Sequence, residues 1–168
     1  MQTTSTNSIA LLRAILITGL IAGTLDALAA ILDYYIATGK SPVIVFVFIA
    51  SGVLGKQAFT MVQPVALLGL LFHYCIATIF CTFYFLIYPK VKLLQRNRLA
   101  SAIIYGVFVW MVMNLVVVPL SNIPPLPFHF LKALKAAAML VICIGLPNSV
   151  RASRFYQKAS INAFIRDR

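Results

Sequence analysis

Residues 9–37 read IALLRAILITGLIAGTLDALAAILDYYIA, and the only charged side chains in this run are Arg13, Asp26 and Asp33. About 20 apolar residues suffice to cross a bilayer as a helix, so the run is long enough to span one. Two carboxylates inside it would cost about 2.5 kcal/mol or more each if they faced lipid while charged. They lie seven residues apart, which puts both on one side of a helix. That side also carries Gly19, Ala22, Gly23, Ala29, Ala30 and Ala37. Small residues let backbones approach closely, and Gly19-x-x-x-Gly23 has the spacing of close helix pairing. The run predicts the inner member of a helix bundle, with its acids turned inward.

Composition excludes a soluble domain. Of 168 residues, 62% are hydrophobic and 10% charged, at a mean hydropathy of +0.98. Soluble domains run near half apolar and a quarter charged, so only a lipid bilayer can cover this much apolar surface. The net charge is +11, but the cations flank the apolar runs and form no single basic face. That pattern predicts anchoring by the positive-inside rule and no nucleic-acid partner. Cys75, Cys81 and Cys143 fall in apolar runs without a C-x-x-C pair, as small core residues do. Arg13, the run Ala14 to Leu25 and Ala27-Leu28-Ala29 imitate a secretory signal. The apolar character continues to Ala37, which predicts a retained span instead.

Along the chain, Met1 to Ser8 is a polar tail, and Thr38-Gly39-Lys40-Ser41-Pro42 is a turn. Three further spans are predicted at about 64–88, 99–120 and 127–146, the last stopping at Gly145-Leu146-Pro147. A basic tail follows over 148–168, in which Phe155 and Tyr156 are expected along the headgroups. Residues 43–60 begin apolar but continue through Ser51, Gly52, Gly55, Lys56 and Gln57, so they read as a fifth span or a short interfacial helix.

Charge counting places the 90–98 loop and the tail in the cytoplasm but leaves the first span undecided. With either four or five spans, ten cations fall inside and four outside. The acids decide it. With four spans, Asp33 ends near Lys132 and Lys135 at the outer end of the last helix, and intramembrane charges are expected to find partners. The predicted fold is an all-α polytopic bundle of four spans with one short interfacial helix.

In that arrangement the helical rise puts Asp26 about 16 Å, His73 about 15 Å, Lys135 about 12 Å and Asn114 about 9 Å below the outer ends of their helices. The four form a polar layer. It reads either as a solvated pocket or proton path, with Asp26 and His73 exchanging a proton and Lys135 supplying charge, or as hydrogen-bonded helix glue. Asp33 joins the candidates through its predicted lysine partners. With only His73 and His129 as histidines, no metal or haem site is expected, and no cofactor motif occurs. His129 reads as a headgroup contact. No nucleophile elbow or other catalytic signature appears, so no enzyme activity is expected.

Ala22-Gly23-Thr24-Leu25-Asp26, Ile49 to Gly55, Leu68-Gly69 with His73, Tyr105-Gly106, Met113-Asn114, Val118-Pro119-Leu120-Ser121 and Gly145-Leu146-Pro147 occur in this order. Over roughly 10–150, this set resembles a group of bacterial inner-membrane proteins distantly similar to the YagU-like family. The resemblance implies a small polytopic inner-membrane protein, supplies no reaction, and favours Asp26, His73 and Asn114 as its polar positions. Those relatives carry Gly-Gly after an Ala-Phe pair, where this chain has Thr60-Met61-Val62 after Ala58-Phe59.

The function expected is a small-solute or proton-coupled carrier or binding protein built on the Asp26–His73 layer. The alternative is a non-catalytic accessory or scaffold subunit, with Gly19 and Gly23 packing against a second copy or a membrane partner.

Overall fold

The computed structural model describes residues 8–123 and 127–166; residues 1–7, 124–126 and 167–168 lie outside them. Every regular element among the described residues is helical. Four helices are long and apolar enough to cross a membrane: Ser8–Thr38, Val62–Ile87, Arg98–Leu120 and Phe130–Asn162. Their outward faces carry large apolar side chains such as Leu20, Leu67, Ile79, Leu115 and Ile142, as lipid contact requires.

Helix α1 (Ser8–Thr38) ends at Gly39, whose φ of 66° places it in the left-handed region. Helix α2 (Val43–Leu54) has 12 residues, about 18 Å of rise, and is too short to span. It closes at Gly55, again at positive φ, and a tight turn over Gly55–Phe59 leads to α3 (Val62–Ile87). Pro64 sits in the first turn of α3, where its missing N–H costs nothing. After a short helix α4 (Lys92–Arg96), Asn97 caps α5 (Arg98–Val112), its side-chain oxygen accepting from Leu99 N at 2.8 Å and Ala100 N at 3.2 Å.

Two wide π-helical turns follow one pattern. Met113–Val117 joins α5 to α6 (Val118–Leu120), and Val141–Gly145 joins α7 (Phe130–Leu140) to α8 (Leu146–Arg166). In each, the residue just before a proline makes the last five-residue bond: Val118 N to Met113 O before Pro119, and Leu146 N to Val141 O before Pro147. A proline inside a helix lacks its N–H and clashes with the carbonyl four residues back. The widened turn relieves that clash.

Pro147 consequently does not stop the last helix, which runs on to Arg166. Phe155 and Tyr156 do not lie along headgroups. Tyr156 stacks on Tyr88, with ring centroids 5.5 Å apart, and donates to Phe85 O at 2.8 Å, while Phe155 packs edge-on against Phe85.

The helices meet at glycines. At Gly19 and Gly23, α1 crosses α3; a Cβ on Gly19 would lie 2.8 Å from Thr78 Oγ1, and one on Gly23 would lie 2.9 Å from Tyr74 Cδ1. The small-residue stripe is thus filled from within the chain. Tighter still, added carbon would overlap the Phe46 backbone at Gly69, the Val141 backbone at Gly106 and the Ala102 backbone at Gly145. These contacts sink α2 against α3 and press the second π turn onto α5. Helix α2 therefore dips into the bundle, with Val47 and Ala50 fully buried. Its carboxyl end is tied to the end of the third span, where Asn122 donates from N to Gly52 O at 2.9 Å and from Nδ2 to Val53 O at 2.8 Å.

Candidate functional site

Asp26 on α1 and His73 on α3 line one cavity of about 190 Å³. Its remaining walls are Ile49 from α2, Ile76, Ala77 and Phe80 from α3, Val109 and Met113 from the third span, and Leu140 and Ile144 from the fourth. All four spans and α2 contribute. Each π turn supplies one wall residue, Met113 and Ile144, so the irregular backbone borders the cavity.

His73 Nε2 lies 2.8 Å from Gly23 O. A carbonyl only accepts, so Nε2 carries a proton and Nδ1 is left as the nitrogen that can gain or lose one. The ring is wedged edge-on between Phe46 and Tyr74, with centroids 6.3 and 5.7 Å away. Gly23 makes this possible twice over: its missing side chain admits Tyr74, and its carbonyl anchors His73. Outside the cavity, Thr24 and Tyr74 join their hydroxyls at 2.9 Å and pin the same crossing.

No hydrogen bond or ion pair holds the Asp26 carboxyl among the described residues. A carboxylate and an imidazole in an otherwise apolar chamber can bind or pass a proton, or hold a small polar group.

The other expected members of the layer are elsewhere. Lys135 pairs with Asp33, as the four-span arrangement predicted, and so supplies no charge to the cavity. Asn114 stands at the right height, next to the cavity residue Met113, but is exposed and donates to Trp110 O at 2.9 Å on its own helix. Steps of four overshoot a helical turn, so Asn114 has rotated about 80° from the buried line through Gly106. His129 is exposed immediately before α7.

Sequence reasoning missed a second polar region, at the basic end of the bundle. Thr18, Ser101, Asn148, Ser149 and Ser153 are buried there. Tyr84 OH lies 2.6 Å from Ser101 Oγ, Arg151 Nε donates to Thr18 Oγ1 at 3.0 Å, and Arg98 Nε donates to Ser153 Oγ at 3.0 Å. Ser149 Oγ donates to Arg98 O at 2.7 Å. The four-residue spacing of Ser149, Ser153 and Gln157 was the available signal. Asn148 Oδ1 is buried there without a hydrogen-bond partner among the described residues. The bonds of Thr18, Tyr84, Arg98, Ser149, Arg151 and Ser153 join all four spans, so the network reads as a lock on the basic end of the bundle.

Among the described residues no group of three or more His, Cys, Asp or Glu side chains gathers to hold a metal ion. No family model, no curated protein and no solved structure matches this chain.

Proposed function

We propose that this chain is a small-solute or proton-coupled membrane carrier or binding protein working through the Asp26–His73 cavity. One observation carries the reading: two titratable side chains from different helices meet in one chamber of about 190 Å³, where the Asp26 carboxyl faces the His73 imidazole and no lysine or arginine. Ionisable residues that face the interior of a membrane bundle mark substrate or proton pathways by default, whereas Asp33 meets Lys135 in an exposed pair. Excess cations at one end, including Lys90, Lys92, Arg96, Arg98, Arg154 and Lys158, support a bacterial inner-membrane location with that end in the cytoplasm.

An accessory or scaffold role is the competing reading. It is less well supported, because Gly19 and Gly23 are already packed on Thr78 and Tyr74 within the chain.

Inside-out membrane vesicles containing the protein test the proposal. A panel of small amines, alcohols, carboxylates and amino acids is added, and proton movement is followed, with Asp26→Asn vesicles as the baseline for passive permeation. Asp26-dependent proton flux with any panel member supports a carrier. Identical traces from both vesicles across the panel favour the accessory role.

A further inference from the structure

The chemistry of the cavity wall narrows the solute class. Resting on the carrier reading, we infer that the chamber takes a small apolar monoamine as its ammonium ion, in exchange for a proton. Charge comes first. The wall holds one carboxylate and no lysine or arginine, since Lys135 is engaged by Asp33. An anion would meet the Asp26 carboxylate with only the His73 imidazole, and no lysine or arginine, to offset it. A diamine would bury its second charge against hydrocarbon, at a cost no wall group repays.

A bare metal ion is equally unsuited, because two polar side chains and eight apolar ones cannot replace its hydration shell. Size comes next. A protein cavity of about 150 Å³ with similar apolar walls accepts benzene, so about 190 Å³ fits a benzene-sized body plus an ammonium group. Phe80 offers that body an aromatic wall, and Ile49, Met113 and Leu140 close around it.

The exchange balances. An ammonium ion arrives carrying one positive charge, and the proton held on the Asp26 carboxyl leaves with one. The carboxylate is neutralised by one or the other, never by both. His73 Nδ1 provides the proton's next stop, because Nε2 is committed to Gly23 O.

Binding to the purified full chain in detergent tests this directly, using benzylamine, its neutral counterpart benzyl alcohol and the anion benzoate. Benzylamine is expected to bind at least tenfold tighter than either. Its Kd should fall as pH rises, approaching tenfold per pH unit where the empty site holds its proton, as exchange of one proton requires. Asp26→Asn should abolish the preference, and Asp26→Glu should keep it, which separates lost charge from lost fold. Equal binding of benzyl alcohol and benzylamine, preference for benzoate, or pH-independent binding would overturn the assignment. If the vesicle panel shows Asp26-dependent flux with acids or alcohols but not amines, the amine class falls while the carrier reading stands. If no panel member evokes flux and none of the three probes binds, both fall.

Discussion

His73 reaches across fifty residues of sequence to place Nε2 2.8 Å from the Gly23 carbonyl, one helical turn from Asp26. The bond fixes which ring nitrogen is free, and it ties the His73 ring to the helix crossing itself. His73→Gln retains a donor for that carbonyl but cannot titrate. Its expected behaviour is near-normal thermal stability in detergent with loss of proton-linked flux. His73→Phe loses both, with a stability cost of about 1 kcal/mol for the missing hydrogen bond.

The two acids of α1 should behave oppositely. Asp26→Asn is expected to leave the protein inserted and folded while removing proton-linked activity. Asp33→Asn breaks only an exposed pair, in which Lys135 and Asp33 are 58% and 37% exposed. Such pairs contribute about 1 kcal/mol or less. Flux should be unchanged and stability should shift within that limit. Vesicle flux and thermal melting of both variants, run side by side, check the contrast.

Much of this architecture was legible because lipid imposes a coarse rule: long apolar runs become helices, and a charge in the middle of one, such as Asp26, turns inward, although Asp33 meets Lys135 at an exposed site instead. Asp26, His73 and the Asp33–Lys135 pairing followed from depth and partner arguments alone. Asn114 did not, because matching heights says nothing of an error of about 80° in direction around a helix. The extension of α8 past Pro147 was hidden for a different reason. A proline reads as a stop unless the turn before it widens, and that widening depends on Gly145 packing against Ala102, a contact between distant segments. Likewise the cavity wall from α2 depends on Phe46 meeting Gly69.

Those glycine crossings rank the next variants. Gly69→Ala, Gly106→Ala and Gly145→Ala each push carbon into a neighbouring backbone that cannot rotate away. Each should destabilise by about 3 kcal/mol, the upper end of overpacking costs. Gly19→Ala and Gly23→Ala meet side-chain atoms of Thr78 and Tyr74, which can shift, so about 1 kcal/mol is expected. Melting temperatures across the five variants should separate into these two groups.

Helix α2 forms one wall of the chamber and is flanked by Gly39 and Gly55, the positive-φ residues among those described. A Cβ on Gly52 would lie 3.5 Å from Ser121 Cβ, within the span a disulfide bridges. Gly52→Cys with Ser121→Cys, in a background lacking Cys75, Cys81 and Cys143, is expected to oxidise readily. The locked protein should still bind solute, and a loss of flux that a reductant restores would show that α2 moves against the third span during turnover. Undiminished flux in the oxidised protein would show that α2 stays fixed during turnover.

A carrier mechanism requires that water reach the Asp26–His73 chamber. Ala77 lines it, Ser41 lies in the exposed turn after α1, and Leu67 faces outward from α3. Single cysteines at these positions, in the cysteine-free background, would be exposed to a small charged thiol reagent in right-side-out and inside-out vesicles. Labelling of the cysteines at 41 and 77, with none at 67, is the predicted result. A cysteine at 77 that stays unlabelled from both sides, while the one at 41 reacts, would mean a dry chamber and contradict the carrier mechanism.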